Sequence, residues 1–281
     1  MANIIDIEKK WDSLTIQDNF VFAKTMESNP DLCRHILELI LNIKIKNISY
    51  PEREKTVDMR TDSKGIRIDV YVEDKSTNRS FDIEMQISNN DNLAKRIRYY
   101  QGLIDMDKLQ KGKKYRALGE SFIIFICTFD YFHKGKHIYT FREFCQQDFS
   151  IALNDGSTKI FLNTTGTEDD VNKDVKNFLD YIAGNHIDSP MISELDKTVR
   201  QVKSNEKWRL EYVTYELALQ EREERGLEIG MKRGFEIGEM KKAEKIAIKM
   251  LKKGDSVEKV QDLTELPIKH VQELSDSINK N

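Results

Sequence analysis

The chain has 281 residues, of which 39% are hydrophobic and 33% are charged, and its formal net charge is −3 at pH 7. This length allows one domain with an appendage or two small domains, and the net charge excludes a global basic field, so any DNA affinity has to come from local patches. The three cysteines are widely spaced, which indicates reduced thiols rather than a disulfide frame or a zinc site. No apolar run approaches ~18 residues and no signal peptide is seen at the N-terminus, so we expect a cytoplasmic protein without a membrane span.

Helical patterns flank a strand-rich middle. Apolar residues recur at helical intervals through the first forty-odd residues, and Pro30 divides this stretch into two predicted helices. Asn90 and Asp91 are a candidate N-cap for a helix that carries Leu93 to Ile104. The segment Ser121–Phe129 is apolar on both faces, which predicts a central strand covered on both sides. Other predicted elements are strands at 43–50, 137–141 and 159–162 and a helix at 171–183.

Two neighbouring segments, 65–73 and 81–87, alternate apolar and polar residues with the period of a half-buried strand. A hairpin that folds near Ser76 and Thr77 pairs every apolar residue with an apolar partner. The same register sets Asp69 directly opposite Glu84, and a one-residue slip would put the apolar sets on opposite faces. Gln86 lies on the same face as Glu84. The pattern therefore predicts two carboxylates and an amide on one face of a sheet.

Opposed side chains in an antiparallel ladder lie roughly 4.5–5.5 Å apart at Cβ, so the two carboxylates need a cation between them. Carboxylate oxygens near a phosphate suit Mg²⁺. The alternative is a solvated sheet face with ordinary surface charges. Asp82 shares this face, but the register pairs it with Tyr71, so we interpret it as a flanking residue.

Charged residues dominate from Asp196 to Lys253, which predicts one long helix or two helices in series. Four glycines recur there at intervals of four residues, at positions 226, 230, 234 and 238. Each costs a helix roughly 0.5–1 kcal/mol relative to alanine, so the repeat indicates either a soft connector with a role in self-association or close helix–helix contact. Two short helices around Pro267 are compatible with a helix-turn-helix.

Several segments together resemble the PD-(D/E)XK nuclease superfamily, and more closely its Rpn branch of recombination-promoting nucleases and transposases. The opening-helix segment is 18–22, the first catalytic strand is 67–70, and the second reads Phe-Asp-Ile-Glu-Met-Gln at 81–86. The segment 98–100 and the C-terminal tail are also similar to that branch. The branch usually carries E-x-Q where the superfamily has D/E-x-K, and Glu84 and Gln86 follow the branch.

The resemblance implies an α/β fold with a restriction-endonuclease-like core, in which helices flank a mixed sheet, followed by an all-α tail. The expected domains are a nuclease-like core at 1–190, a charged helical region with the glycine repeat at 191–253, and a small helical terminus at 254–281. The implied activity is Mg²⁺-dependent DNA endonuclease chemistry, with Mn²⁺ as a substitute, linked to recombination or mobile DNA. The expected partners are DNA and a second copy of the chain, without a membrane.

The resemblance also assigns roles to individual residues. Asp69, Glu84 and the main-chain carbonyl of Met85 would hold the metal, and Gln86 would position the attacking water. Asp18 is the candidate for an additional acid on the first helix, with an N-cap as the alternative. Candidate DNA contacts lie on the helix after the core, at Lys95, Arg96 and Arg98.

Two departures and two rival functions accompany this interpretation. The superfamily proline before the aspartate is Ile68, and the motif lysine, which stabilises developing charge, is the neutral Gln86. One rival is a catalytically silent protein that binds DNA or self-assembles in a regulatory role. The other is a transposase that joins DNA strands, although no residue here requires joining.

Overall fold

The computed structural model describes residues 4–50, 56–57, 66–89, 92–109 and 111–279. The predicted N-cap at 90–91 and Gly65 lie outside these residues. The helices are α1 Ile4–Ser13, α2 Asn19–Ser28, α3 Pro30–Leu41, α4 Leu93–Lys108, α5 Lys173–Ile182, α6 Pro190–Lys203, α7 Glu206–Lys252, α8 Val257–Thr264 and α9 Ile268–Asn279. The strands are β1 Thr56–Val57, β2 Ile66–Arg67, β3 Val70–Asp74, β4 Arg79–Gln86, β5 Glu120–Cys127, β6 Ile138–Phe141, β7 Phe144–Cys145, β8 Asp148–Ala152 and β9 Ser157–Asn163.

A mixed sheet of five strands, in the order β3-β4-β5-β9-β6, forms the centre of the fold. Strands β4, β5 and β9 are parallel, whereas β3 and β6 run antiparallel to their neighbours at the two edges. Residues 121–127 of β5 are all buried, so the prediction of a doubly covered central strand is confirmed. Helix α4 covers one face of the sheet, where Ile97, Tyr100 and Ile104 pack with Phe125 of β5. The α/β fold class inferred from the sequence is confirmed.

Strands β3 and β4 form the predicted hairpin in the predicted register. Val70 pairs with Ile83 and Val72 pairs with Phe81, and residues 75–78 make the turn. The Asp74 carboxylate fixes this turn because it accepts hydrogen bonds from the main-chain N–H groups of Ser76, at 3.0 Å, and Lys46, at 3.2 Å. Because the turn fixes the register of the hairpin, it also determines which side chains of β4 lie on the face that α4 covers.

The tip of this hairpin lies against the loop that precedes β5. Asn78 has a positive φ of 54°, and its main-chain oxygen comes so close to Gly119 that a Cβ at position 119 would lie 1.7 Å from it. That separation is far inside van der Waals contact, so only glycine fits at position 119 without a shift of the hairpin tip.

The predicted strand at 65–73 is wrong as a single element. Strand β2 ends at Arg67 and β3 begins at Val70, with Ile68 and Asp69 between them outside any strand. The Asp69 N–H donates to the Glu84 carboxylate instead of to a ladder carbonyl, so the ladder stops there. The predicted strand at 43–50 is also wrong, since the fold keeps only a bridge between Ser49 and Glu73.

Chain contacts divide the protein into two compact units, one up to Val213 and one from Thr214 onward. Helix α6 and the start of α7 pack in the first unit: the Trp11 indole donates to the Lys203 carbonyl at 3.1 Å, and the Lys24 ammonium lies 2.6 Å from the Glu211 carboxylate. The predicted core boundary at 190 falls before α6, ahead of these contacts.

The second unit consists of most of α7 together with α8 and α9. Helix α7 continues without a break through the four glycines of the repeat, and a Cβ at any of them would meet no atom within 4 Å. At the end of the helix, Ala247 packs with Val260 of α8 and Val271 of α9. None of the helices in the described ranges combines the length and apolar character that a bilayer span requires.

Candidate active site

Asp69 and Glu84 meet at the end of the hairpin that is opposite its turn. The main-chain N–H of Asp69 donates to Glu84 Oε1 at 2.9 Å, and the main-chain N–H of Met85 donates to Asp69 Oδ2 at 3.0 Å. These exchanged hydrogen bonds continue the pairing of β3 with β4 after the ladder itself has stopped. The structure thus brings together the two carboxylates that the register sets opposite each other.

Helix α2 reaches the site through its first residue, Asn19. Its side-chain Nδ2 donates to Asp69 Oδ1 at 3.3 Å. Asp18 caps α2, accepting from the N–H groups of Phe20 at 3.0 Å and Val21 at 3.2 Å, as the N-cap alternative predicted. Sequence reasoning missed Asn19, although it stands inside the motif segment that begins at Asp18. A metal contact for Asp18 stays a prediction.

The acid-bearing face of β4 is buried under α4. Glu84 is 1% exposed and Gln86 is 6% exposed, so the alternative of a solvated sheet face is excluded. On this face Glu84 and Gln86 stand two residues apart, and their side chains approach to 3.5 Å between Gln86 Nε2 and Glu84 Oε2. A buried carboxylate requires compensating partners, and α4 provides one of them.

Arg96 of α4 is that partner. Its Nη2 donates to Glu84 Oε2 at 3.1 Å and its Nη1 donates to Gln86 Oε1 at 2.8 Å. The Tyr100 hydroxyl accepts from the same guanidinium at 2.9 and 3.1 Å. Arg96 differs in position from Lys95 and Arg98, the other two candidate DNA contacts on this helix. Arg96 points into the site, whereas the side chains of Lys95 and Arg98 are exposed. A DNA contact for any of the three stays a prediction.

Asp82 is a further buried acid on this face. It is 1% exposed, pairs with Tyr71 as the register predicted, and neither carboxylate oxygen has a hydrogen-bond partner within the described residues. Sequence analysis interpreted it as a flanking residue. Its parity with Glu84 and Gln86 along β4 was the signal that could have included it.

Burial dominates the electrostatics of this site. It raises the pKa of Asp82, and the charge of Asp69 adds to the rise, while Arg96 opposes it. Burial likewise raises the pKa of Glu84, but here the Asp69 N–H and Arg96 bind the ionised form directly. Burial alone would lower the pKa of Arg96, yet Tyr100, Glu84 and Asp69 together raise it, so Arg96 stays charged.

The donor set fits a hard divalent cation. Across the described ranges, no three His, Cys, Asp or Glu side chains are already gathered in a metal-binding arrangement. The oxygens of Asp69 and Glu84 accept hydrogen bonds, but each carboxylate oxygen has two acceptor positions. The oxygens of buried Asp82, which have no hydrogen-bond partner in the described part of the chain, lie on the same face. Oxygen ligands of this kind suit Mg²⁺ and Mn²⁺.

No curated protein and no solved structure matches the chain. The family model that matches, over residues 19–225, is described as PD-(D/E)XK nuclease family transposase. A nuclease- or transposase-like function, a DNA substrate and the use of divalent metal ions go with that family. Because the match covers more than half of the chain and includes the whole acidic site, the protein belongs to the PD-(D/E)XK nuclease family transposases.

Proposed function

We propose that the protein is a metal-dependent DNA endonuclease that hydrolyses phosphodiester bonds and acts in recombination or on mobile DNA. The observation that carries the proposal is the Asp69–Glu84 pair, which hydrogen bonds hold together on the face that also bears the buried carboxylate of Asp82. Glu84 and Asp82 are buried and Asp69 is half-buried. Burial of acidic groups raises the free energy of the folded state unless a cation compensates them, and such strain is typical of a functional site.

Asp69, Glu84 and the main-chain carbonyl of Met85 would hold Mg²⁺ or Mn²⁺. A bound divalent ion would supply positive charge to the scissile phosphate and lower the pKa of a water molecule. In hydrolysis the water oxygen bonds to phosphorus, the bond from phosphorus to the leaving sugar oxygen breaks, and that oxygen takes up a proton. Asp69 and Glu84 would orient the reacting groups, since their geometry is set by the hairpin register before any ligand arrives.

Gln86 would position the attacking water. As a neutral amide it can accept a hydrogen bond through Oε1 and donate through Nε2, but it brings no charge to the phosphate. Its side chain is buried and is held between Arg96 and Glu84, so it is pre-oriented. We expect Gln86 to influence the rate more than metal binding.

Two further parts of the chain would engage macromolecules. Lys95 and Arg98 are exposed on α4, close in sequence to Arg96, and would contact the DNA backbone. Helix α7 exposes large apolar side chains along its glycine repeat, including Leu227, Met231 and Phe235. This exposure supports the proposal that α7 joins two copies of the chain in a homodimer, which could cut both strands of a duplex.

A catalytically silent protein that binds DNA or self-assembles is the second candidate. The ion pair of Arg96 with Glu84 favours it, because protein groups already compensate part of the acidic charge without a metal. The two candidates differ in whether Asp69 and Glu84 are needed for a chemical step.

Cleavage of supercoiled plasmid DNA tests the proposal. Wild type in Mg²⁺ should nick or linearise the plasmid, and EDTA or the double change Asp69→Asn with Glu84→Gln should abolish cleavage. Glu73→Gln is the matched control, because Glu73 is an acid on strand β3 of the same hairpin that pairs with Lys108 at 3.4 Å, away from Glu84, and this variant should cut as wild type does. Metal-independent cleavage, or full activity in the double variant, would contradict the proposal, and a wild type that binds DNA without cutting it would favour the silent protein.

A further inference from the structure

We infer that Arg96 supplies the positive charge that the family motif lacks at Gln86, and that Glu84 holds this guanidinium until a divalent ion binds. The inference rests on the proposed nuclease function and deepens it. Arg96 would then have two opposite effects: it would weaken the binding of the metal ion, and it would speed cleavage of the phosphodiester bond.

The geometry of Arg96 is that of a positioned group rather than of a free surface side chain. Its Nη1 and Nη2 span the two polar residues of the motif, with 2.8 Å to Gln86 Oε1 and 3.1 Å to Glu84 Oε2. The Tyr100 hydroxyl accepts two further hydrogen bonds, and the guanidinium carbon lies 5.6 Å from the centroid of the Phe125 ring. Hydrogen bonds and cation–π contacts of this kind hold the head group at the site.

The charges at the site make Arg96 the natural counterpart of the missing lysine. Asp69, Asp82 and Glu84 are acids, and Gln86 is neutral. Arg96 is the cation that pairs with Glu84, and it touches Gln86 directly, so the positive charge lies beside the position where the wider superfamily carries it on the strand itself. The positive charge of Arg96 therefore comes from helix α4, and not from strand β4.

Two consequences follow when Glu84 takes a divalent ion as its partner. The Glu84 carboxylate gives up part of its interaction with Arg96, because two cations now compete for it. The freed Nη groups can then donate to the non-bridging oxygens of the scissile phosphate, whose negative charge grows as the water oxygen bonds to phosphorus and the sugar oxygen leaves with a proton. The planar fork of arginine matches phosphate oxygens in pairs.

Arg96 should therefore weaken metal binding and accelerate cleavage. We would measure Mn²⁺ binding to the full-length protein by calorimetry without DNA, and plasmid cleavage in parallel. Arg96→Met should tighten Mn²⁺ binding by roughly 30-fold, the effect of removing one unit charge at about 4 Å from a divalent ion in water. The same change should slow cleavage about 100-fold, as the loss of one charge-stabilising donor does. Arg96→Lys keeps the charge, so it should bind Mn²⁺ nearly as wild type does and cut faster than Arg96→Met.

Arg79→Met is the matched control. Arg79 also pairs with a glutamate, Glu120, and its side chain is 25% exposed, compared with 28% for Arg96. This control should change neither Mn²⁺ affinity nor cleavage. Arg96→Gln, which is neutral but keeps a donor for Glu84, replaces Arg96→Met if thermal melting shows that the methionine variant is unfolded, and it should show the same two opposite shifts.

The outcomes separate this inference from the proposed function. A wild type that neither binds Mn²⁺ nor cuts DNA overturns the nuclease proposal, and the inference with it. If wild type binds and cuts, but the neutral variants bind Mn²⁺ no more tightly or cut as fast as wild type, only the role of Arg96 is overturned. A purely structural role would lower affinity and rate together, which also contradicts the inference.

Discussion

The main-chain N–H of Asp69 points at Glu84 and donates to its Oε1 at 2.9 Å. The backbone that carries one acid thus fixes the carboxylate of the other, so the distance between them depends on the β3–β4 register and not on side-chain rotamers alone. This arrangement makes the pair preorganised.

Metal binding should depend on both acids. Asp69→Asn combined with Glu84→Gln should abolish Mg²⁺ and Mn²⁺ binding in calorimetry, because amides lose the negative charge that a hard divalent cation requires. Glu73→Gln should bind as wild type does. Unchanged affinity in the double variant would show that the metal, if one binds, lies elsewhere.

Loss of Gln86 should affect the rate more than binding. Gln86→Ala should slow plasmid cleavage at least tenfold, equivalent to about 1.4 kcal/mol of barrier, because the attacking water loses its positioning partner. Metal affinity should stay close to the wild-type value in calorimetry. Nicking by Gln86→Ala at the wild-type rate would rule out this role.

Stability without metal should depend on pH through Asp82. Burial raises the pKa of Asp82 above its ordinary value of about 3.9. The stabilisation that the protonated acid confers is therefore complete below that value and is lost as the pH rises through the raised pKa, at up to about 1.4 kcal/mol per pH unit.

Urea unfolding in EDTA across a pH series measures this effect. Asp82→Asn should gain stability relative to wild type as the pH rises above about 4, because its amide does not titrate. Asp31→Asn is the control for the loss of one carboxylate, since the Asp31 side chain is 87% exposed. Parallel curves for wild type and Asp82→Asn would contradict the prediction.

Truncation of the tail should leave a folded core only if the shortened chain keeps the contacts that α6 and the start of α7 make with the core. A chain that ends at Val213 keeps the bonds from Trp11 to Lys203 and from Lys24 to Glu211, and should unfold cooperatively and bind Mn²⁺. A chain that ends at Asn185 loses both contacts and should be markedly less stable. Thermal melting of the two chains decides this point.

The chain that ends at Val213 should also lose self-association, DNA affinity, or both. Light scattering and gel shifts at several salt concentrations would compare it with the full chain. Any DNA binding lost with the tail should weaken steeply with salt if lysines contact phosphates, the candidates being Lys245, Lys249, Lys252, Lys253 and Lys269. Identical mass and identical DNA binding would leave the tail without either role.

Much of the site geometry could be predicted because strand parity is a strong constraint. The alternation in 65–73 and 81–87 predicts the observed pairs of Val70 with Ile83 and Val72 with Phe81, and hence the meeting of Asp69 with Glu84. The central strand was predictable for a different reason: it lacks alternation, and a strand apolar on both faces has to be covered twice.

The burial of the site could not be read from the same pattern. Alternation shows that Asp82, Glu84 and Gln86 share a face, but it does not show that α4 lies over it, because the packing of a helix on a sheet is not specified by the pattern within one strand. The inward direction of Arg96 depends on the same packing, and neighbouring Lys95 and Arg98 give no local sign that distinguishes them from it. The break in the first strand arises from a side chain that captures a main-chain N–H, which propensity does not register.

The contact between Gly119 and the Asn78 carbonyl has a consequence for genetic screens. A methyl group at position 119 would displace the hairpin tip from which β4 starts, and β4 carries Glu84 about 17 Å further along, at roughly 3.4 Å per residue. A screen that records only activity would therefore score Gly119 among the active-site positions, although it lies at the opposite end of the strand from the acids. Inactive variants at this position would report on the alignment of the hairpin and not on chemistry.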